Sequence, residues 1–141
     1  MRTKPFNKQV HDACDPPARE AVSKYIKATW GMNAWHNPDQ YAVDLIIEKD
    51  KNLIGYAEIE MRDWNDCPFR TIHIPQRKKK LFDNEKKTIY FVVSANFKRL
   101  WYCDTKTILE FPLIEVPNKA VKEGEYFYDV PINLFTSVKL S

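Results

Sequence analysis

Glycine is scarce in this sequence, which has only 3 glycines among 141 residues. A fibrous, collagen-like chain is therefore excluded. With 44% hydrophobic and 13% aromatic residues, the chain is also not one that stays disordered because it cannot form a core. Its length is that of one ordinary domain. We therefore expect a single domain that spans residues 1–141.

Cysteine is also rare, since Cys14, Cys67 and Cys103 are widely spaced and form neither a CxxC motif nor a zinc-binding pattern with histidine. Because three is an odd number, reduced thiols are the default, and these are typical of a cytoplasmic protein. Residues 1–10 are basic but lack the apolar run of a secretory signal. No stretch approaches the ~18 apolar residues of a membrane span. The sequence thus predicts a cytoplasmic protein without membrane contact.

Neither sign of charge dominates, since the net charge is only +3, but the two signs are segregated along the chain. Residues 39–66 hold eight acidic and three basic side chains, a net charge of −5. Residues 76–99 hold eight basic and two acidic side chains, a net charge of +6. An acidic cluster beside a basic one is typical of a metal site next to a track for a polyanion. Two solvated faces of opposite sign give the same pattern.

The first predicted element is a helix that begins at Asp15-Pro16-Pro17. Asp15 can cap it, and prolines suit a first helical turn, where their missing N–H is not needed. Apolar residues then recur at the helical spacing of three and four, and Gly31 is a plausible stop. Asn37-Pro38-Asp39 follows as a turn.

Two runs rich in Val, Leu and Ile, Tyr41–Glu48 and Leu53–Met61, predict a β-hairpin. A short strand at Ile72–Ile74 and a second helix that starts at Pro75 follow. Thr88–Ser94 is strongly apolar, as expected of a buried central strand.

The rest of the chain is predicted to be mostly β-structure. Arg99–Cys103 and Thr107–Phe111 form a second expected hairpin, Pro117–Lys122 a helical turn, and Tyr126–Val130 the final strand. The whole order predicts an α/β (α+β) fold, in which a mixed central β-sheet is flanked by helices.

The first hairpin carries carboxylates among its apolar residues. Side chains alternate between the two faces of a strand, so Glu58 and Glu60 share a face and lie about 7 Å apart. Asp44 joins them if the residue numbers of paired positions sum to 102, because a sum of 101 turns Asp44 to the other face. A site built from all three therefore predicts the 102 register, or a bulge that restores it.

Three carboxylates at close range repel one another, by about 4 kcal/mol for a pair ~4 Å apart at an effective dielectric constant of 20. A bound cation removes this repulsion, and oxygen ligands favour Mg²⁺ or Mn²⁺ over Zn²⁺. Such an ion can hold a scissile phosphate, activate a water molecule and stabilise the leaving oxygen. The alternative is a set of exposed, solvated acids on an edge hairpin.

Asp44, thirteen intervening residues and then Glu58-Ile59-Glu60 resemble the motif of the PD-(D/E)XK nuclease superfamily. The resemblance extends to the preceding helix with its acid Glu20, to the short strand and basic helix that start at Ile72, and to the apolar strand. It covers roughly residues 15–100. It implies a restriction-endonuclease-like core and the Mg²⁺- or Mn²⁺-dependent hydrolysis of DNA phosphodiester bonds.

The resemblance also implies roles for individual residues. Asp44 and Glu58 are the expected metal ligands, together with the backbone carbonyl of Ile59. Glu20 is expected to be an accessory acid presented by the first helix. The alternative for Glu20 is a solvent-facing charge that pairs with Lys24, four residues further on.

Two residues depart from the pattern of the superfamily. Val43 replaces the proline before Asp44, at a position that is loose in the superfamily. Glu60 replaces the usual lysine, as it also does in some active restriction enzymes of the superfamily. Either Glu60 activates the water as a base or a further metal ligand, or Lys78 or Lys79 from the next helix supplies the missing positive charge. A degenerate, inactive member is the remaining alternative.

Phosphate contacts are expected from a basic run near the start of the second predicted helix, where backbone N–H groups also favour phosphate. With a neighbouring polar residue and two bases that extend the track, the candidates are Gln76, Arg77, Lys78, Lys79, Lys80, Lys98 and Arg99. A solubilising helix face is the alternative. The four tryptophans are expected in the core or at an interface rather than as platforms for stacked bases.

The sequence thus predicts an Mg²⁺-dependent endonuclease that acts on DNA, with RNA as the alternative substrate. A domain of this size favours a homodimer for sequence-specific or double-strand cutting. Its compactness suggests a phage or mobile-element enzyme that acts in the host cytoplasm. Two other functions stay open: a non-catalytic nucleic-acid-binding module on the same fold, and a protein-interaction or virion structural domain whose basic helix binds an acidic protein.

Overall fold

The computed structural model describes residues 8–39, 42–118 and 121–140. The helices are α1 (Lys8–Tyr25), α2 (Lys79–Phe82) and α3 (Thr105–Leu109), with a π-helical segment at Ile26–Trp30 and 3₁₀ turns at Gln76–Lys78 and Ile132–Leu134. The strands are β1 (Asn33–His36), β2 (Leu45–Lys49), β3 (Asn52–Met61), β4 (Thr71–Pro75), β5 (Lys87–Val93), β6 (Arg99–Asp104), β7 (Leu113–Asn118), β8 (Val121–Pro131) and β9 (Thr136–Lys139).

Helix α1 is longer than the sequence pattern predicts. It begins at Lys8 rather than at Asp15, so Pro16 and Pro17 lie inside it. Proline's fixed φ of about −65° is helical, so the pair removes two N–H donors but keeps a helical backbone. The helix continues as the π-helical segment and ends where predicted, at Gly31, whose φ of 66° is left-handed. Within the described ranges, no helix is both long and apolar enough to cross a membrane.

The main sheet has six strands in the order β1-β2-β3-β5-β6-β9. Strands β3 and β5 pair in parallel and the other neighbours pair antiparallel, which confirms the predicted mixed sheet. Strand β5 is an inner strand with fully buried Tyr90 and Phe91, as predicted for the run Thr88–Ser94. Gly55 allows β3 and β5 to approach closely, because a Cβ there would collide with the carbonyl oxygen of Lys87.

The hairpin of β2 and β3 has the predicted bulge that restores the 102 register. Its two-residue turn, Asp50-Lys51, starts the pairing at a register whose residue numbers sum to 101. A β-bulge after Ile47 then shifts the pairing by one, so that Ile46 lies opposite Tyr56 and the sum becomes 102. The bulge therefore turns the carboxylate-bearing positions of β2 and β3 toward the same face.

The structure has three layers. Helix α1 packs on one face of the main sheet, around a buried cluster that includes Val22, Ile26 and Phe91. A second sheet, in the order β4-β8-β7, packs on part of the other face, around a cluster that includes Tyr90 and Val130. These layers confirm a mixed α/β fold with helices against a central sheet.

The strands before β5 agree with the predictions in type but differ in extent. Strand β2 begins at Leu45 instead of Tyr41, which lies outside the described residues. Strand β4 contains Ile72–Ile74 as predicted, but it pairs with β8 in the second sheet. Pro75 ends β4, and the predicted second helix is reduced to a 3₁₀ turn and the four residues of α2. Strand β1 is too short for its pattern to predict it.

Three predictions for the last third of the chain are wrong. Thr107–Phe111 is not a strand, because Asp104 caps helix α3 there by accepting a hydrogen bond from the N–H of Lys106 at 2.9 Å. Pro117–Lys122 is not a helical turn, since its described residues belong to β7 and β8. Tyr126–Val130 lies in β8, but β9 follows it and is the last strand.

Candidate functional site

Asp44 lies just before β2, where the hydrogen-bond ladder between β2 and β3 ends. Its Oδ2 accepts a hydrogen bond from the backbone N–H of Ile59 at 2.8 Å, and its Oδ1 accepts one from Nη2 of Arg19 at 2.9 Å. The N–H and C=O groups of one strand residue point toward the same neighbouring strand. The Ile59 carbonyl therefore also points toward the side of β3 on which Asp44 lies. The structure thus brings Asp44 to the backbone N–H of Ile59, whereas the role that the resemblance implies is one for the Ile59 carbonyl.

Glu58 is a buried acid on the face of the sheet opposite α1, and only 5% of its surface is exposed. Its Oε2 accepts a hydrogen bond from Nζ of Lys78 at 2.7 Å. The pKa of Glu58 is raised to about 7 because burial disfavours the charged form, a shift that the Lys78 ammonium opposes and the Asp44 carboxylate reinforces. Glu58 therefore gains or loses a proton near neutral pH.

The other oxygen of Glu58, Oε1, is buried and has no hydrogen-bond donor in the part of the chain that is described. Asp44 is close enough to form a hydrogen bond with Glu58 once one of the two acids carries a proton. A buried carboxylate oxygen without a donor is unfavourable, and either a shared proton or a cation between the acids relieves it. Two carboxylates and the Ile59 carbonyl form an all-oxygen donor set, which suits Mg²⁺ or Mn²⁺.

Lys78 comes from the 3₁₀ turn after β4 and is 9% exposed. Burial lowers the pKa of Lys78, but the carboxylates of Glu60, Glu58 and Asp44 outweigh burial, so the net pKa is raised. Lys78 therefore stays positively charged in the interior. Lys79, the alternative from the sequence, is exposed. We refer to Asp44, Glu58 and Lys78 as the charge cluster.

Glu60 shares a face with Glu58, as strand alternation predicts, but has different partners. Its Oε2 accepts hydrogen bonds from the hydroxyl of Tyr90 and from Nη2 of Arg62. Arg62 in turn donates to the carbonyl of His73 at 2.7 Å. Among the residues that the structure describes, no group of three or more Asp, Glu, His or Cys side chains is arranged to hold a metal. The expected convergence of all three carboxylates on one ion is therefore not found.

Glu20 stays outside the charge cluster. Its side chain is 65% exposed and pairs with Lys24 at 2.9 Å, which is the solvated alternative for this residue. The residue of α1 that reaches the cluster is Arg19, which the sequence reasoning missed. The helical phase contains the signal, because Arg19 borders the buried stripe that includes Ala18 and Val22, whereas Glu20 points away from it.

The basic run lies on the surface beside the charge cluster, apart from its one buried member, Lys78. We refer to Gln76–Lys80 as the basic segment. Arg77, Lys79 and Lys80 are exposed and, with Gln76 and Asp83, line an open recess of about 520 Å³. The segment therefore offers three exposed cationic side chains next to the buried lysine.

Lys98 and Arg99, the predicted extension of this track, differ from each other. Lys98 is exposed in the turn between β5 and β6. Arg99 is held in place, because its guanidinium pairs with Asp66 at 2.9 Å, donates to Ser137 at 2.7 Å and lies 5.1 Å from the ring centre of Trp101. Lys98 is thus available for a phosphate, while Arg99 already has partners.

The charge cluster combines a titratable buried acid, a second acid and a buried ammonium at the end of the β2–β3 ladder. Groups with shifted pKa values concentrate at functional sites, although structural ion pairs also produce such shifts.

Comparison with protein-family models, with curated proteins and with solved structures finds no match.

Proposed function

We propose that the protein is a metal-dependent nuclease that hydrolyses phosphodiester bonds of DNA at the charge cluster. The observation that carries this proposal is the buried Oε1 of Glu58, which has no donor among the described residues and lies beside the Asp44 carboxylate. A divalent cation would satisfy this oxygen, and the Asp44 carboxylate, although it accepts a hydrogen bond on each oxygen, keeps further lone pairs for the same ion.

Asp44, Glu58 and the backbone carbonyl of Ile59 would hold Mg²⁺ or Mn²⁺. When bound, such an ion polarises a phosphate and lowers the pKa of a water. Arg19 fixes the Asp44 carboxylate through its 2.9 Å hydrogen bond. Glu58 has to lose its proton before it can act as a ligand, so its pKa of about 7 ties the site to neutral or higher pH.

Lys78 supplies the positive charge that the superfamily usually has at the position of Glu60 in β3. Its ammonium is 2.7 Å from Oε2 of Glu58 and stays protonated, so it can orient a scissile phosphate and stabilise the charge that develops on it. Glu60, held by Tyr90, raises the pKa of Lys78 and is therefore a positioning residue in this proposal.

The order of the elements supports the same proposal. Helix α1, the antiparallel hairpin with its acids, the short strand β4 with its basic turn, and the buried strand β5 follow one another as in the resemblance, but β1 is inserted before the hairpin and β4 pairs in the second sheet. Because one fold can host many functions, the proposal rests on the site, which supplies both acids and a lysine.

A cleavage assay with Mg²⁺ or Mn²⁺ on single-stranded, duplex and branched DNA tests the proposal. We expect metal-dependent cutting that EDTA abolishes. Asp44→Asn and Lys78→Met should lower the rate by at least about 100-fold, the scale of one lost charged contact in the transition state. Glu20→Gln and Lys27→Met, at exposed positions outside the cluster, are the matched controls and should cut normally.

Metal binding provides a readout that does not depend on cleavage. Calorimetric titration with Mn²⁺ should show one site in the wild type and none in Asp44→Asn. No metal-dependent cutting of any DNA or RNA form, together with no Mn²⁺ binding, would reject the nuclease proposal.

A non-catalytic nucleic-acid-binding module is the second candidate function. The observation that favours it is that each acid already has a cationic partner, Arg19 on Asp44 and Lys78 on Glu58. In that case the charge cluster only stabilises the fold. The protein would then bind DNA with a steep salt dependence but leave it intact in every metal, and Asp44→Asn would change stability without changing binding.

A further inference from the structure

The main sheet is only partly covered on the face that carries Glu58. The second sheet packs against β5 and β6, around residues such as Tyr90 and Trp101. Toward the other edge, further apolar side chains belong to neither core cluster of the described chain. We refer to three of them, Trp35 of β1, Ile46 of β2 and Tyr56 of β3, as the open face.

Strand pairing places these side chains on one surface. Trp35 of β1 lies opposite Ile46 of β2, which lies opposite Tyr56 of β3, so the three form a row across the sheet. Trp35 is 54% exposed, and Ile46 and Tyr56 are partly buried. With neighbouring strands about 4.8 Å apart, the two aromatic rings at the ends of the row are about 10 Å apart at their Cα atoms.

The open face leads directly to the charge cluster. Tyr56 precedes Glu58 by two residues on the same face of β3, a distance of about 7 Å. The basic segment flanks this end of the face, because its Lys78 reaches Glu58 while Arg77, Lys79 and Lys80 remain exposed. Two aromatic rings thus lie between an edge of the sheet and a group of surface cations.

We propose that the open face binds single-stranded DNA, with bases stacked on Trp35 and Tyr56 and phosphates held by Arg77, Lys79 and Lys80. An aromatic ring beside a cationic groove is the recognised arrangement for unpaired nucleotides. A base pair inside a duplex offers no free ring face for such stacking. The alternative occupant is a second copy of this chain, and the exposed cations at the end of the face favour a polyanion over it.

This inference rests on the proposed function, since it gives the path of the substrate strand into the charge cluster. It departs from the expectation that the tryptophans serve the core or an interface rather than base stacking. Trp101 is buried, Trp30 and Trp64 are partly buried, and Trp35 is the exposed member of the set. A base bound to the open face would therefore quench Trp35 most directly, and the Trp35 variants identify its share of the signal.

The test is binding of a dye-labelled oligothymidylate in EDTA, measured by anisotropy and by quenching of tryptophan fluorescence. We expect Trp35→Ala and Tyr56→Ala each to weaken single-strand binding by between about 5-fold and 150-fold, the range for one stacked base. Trp35→Phe should retain most of the affinity, whereas Trp35→Leu, which is apolar but does not stack, should not. Tyr126→Ala, at an exposed aromatic of β8, is the matched control and should bind like the wild type.

Three results would overturn the inference: unchanged single-strand affinity in Trp35→Ala and Tyr56→Ala, an equal loss for duplex DNA, or a wild-type dimer that Trp35→Ala converts to a monomer in analytical ultracentrifugation. The last would mean that a second copy occupies the open face. These results are separable from failure of the nuclease proposal, which concerns cutting by Asp44 and Lys78 in the presence of metal. A protein that cuts DNA but binds single strands normally after Trp35→Ala would retain its proposed function and lose this inference.

Discussion

Glu58 is a carboxylic acid that water barely reaches, and its protonation state decides what the charge cluster can do. The acid shares its surroundings with an ammonium that favours the charged form and a carboxylate that disfavours it, and burial tips the balance toward the neutral form. A cation between Glu58 and Asp44 would reverse that balance. Proton and metal thus compete for the same oxygens.

This competition predicts a pH-dependent stability in the absence of metal. The pKa of Glu58 is about 7 in the folded protein and close to the ordinary 4.5 after unfolding, so the folded state holds a proton that the unfolded state releases. The resulting stabilisation is fully present below about pH 4.5 and is lost as the pH rises through about 7. At about 1.4 kcal/mol per pKa unit, the loss is on the order of 3 kcal/mol.

Urea denaturation in EDTA between about pH 5 and pH 8 measures this effect. Glu58→Gln mimics the neutral acid and should flatten this part of the stability profile. Glu20→Gln, at an exposed position of α1, should retain the wild-type slope. Identical slopes for the wild type and Glu58→Gln would show that Glu58 does not titrate in this range.

Among the elements, the β2–β3 hairpin positions the acids, and its turn is strained. Asp50 and Lys51 both have positive φ, 51° and 68°, as a two-residue turn of this hand requires. Aspartate tolerates this conformation, but lysine has no side-chain hydrogen bond that favours it. The bulge after Ile47 then corrects the register that the turn sets.

Lys51→Gly should therefore stabilise the protein by about 0.5–1 kcal/mol, because Asp-Gly fits the turn and relieves the left-handed lysine. Lys49→Gly is the matched control: the same change in the extended backbone of β2 should destabilise by about 0.5–1 kcal/mol. Thermal or urea unfolding of both variants gives the comparison. A Lys51→Gly protein that is less stable than the wild type would contradict this account of the turn.

The elements show why part of the fold could be predicted from the sequence. Alternation in β3 and the apolar run of β5 are local signals, so both strands and the shared face of Glu58 and Glu60 were predicted. Helix α3 was missed because its formation depends on one capping interaction of Asp104 rather than on periodicity. The second sheet could not be predicted either, because β4 pairs with β8 across more than fifty residues.

In the candidate site too, local patterns predicted some residues and missed others. Asp44 and Glu58 follow from spacing and register, and Lys78 was one of two lysines that the sequence offered. The partners of the acids were not predicted. Arg19, which binds Asp44, comes from α1. Tyr90, which donates to Glu60, lies in an apolar strand where a hydrogen-bonding role for its hydroxyl was not expected. Contacts between distant elements decide these partners, and local patterns carry no information on them.

Over the whole molecule, the segregation of charge predicts how binding depends on salt. The basic segment adds three exposed cations beside the charge cluster, and each phosphate contact contributes about 0.7–0.9 to the slope of log affinity against log salt. Changing Arg77, Lys79 and Lys80 together to Gln should therefore reduce the slope for DNA by about 2–3. Fluorescence anisotropy over a salt series measures it. A control with the same loss of net charge, in which the exposed Lys27, Lys106 and Lys139 become Gln, should keep the wild-type slope, because long-range charge is screened and only direct contacts release counterions. Equal slopes for both triple variants would mean that net charge, and not the basic segment, attracts DNA.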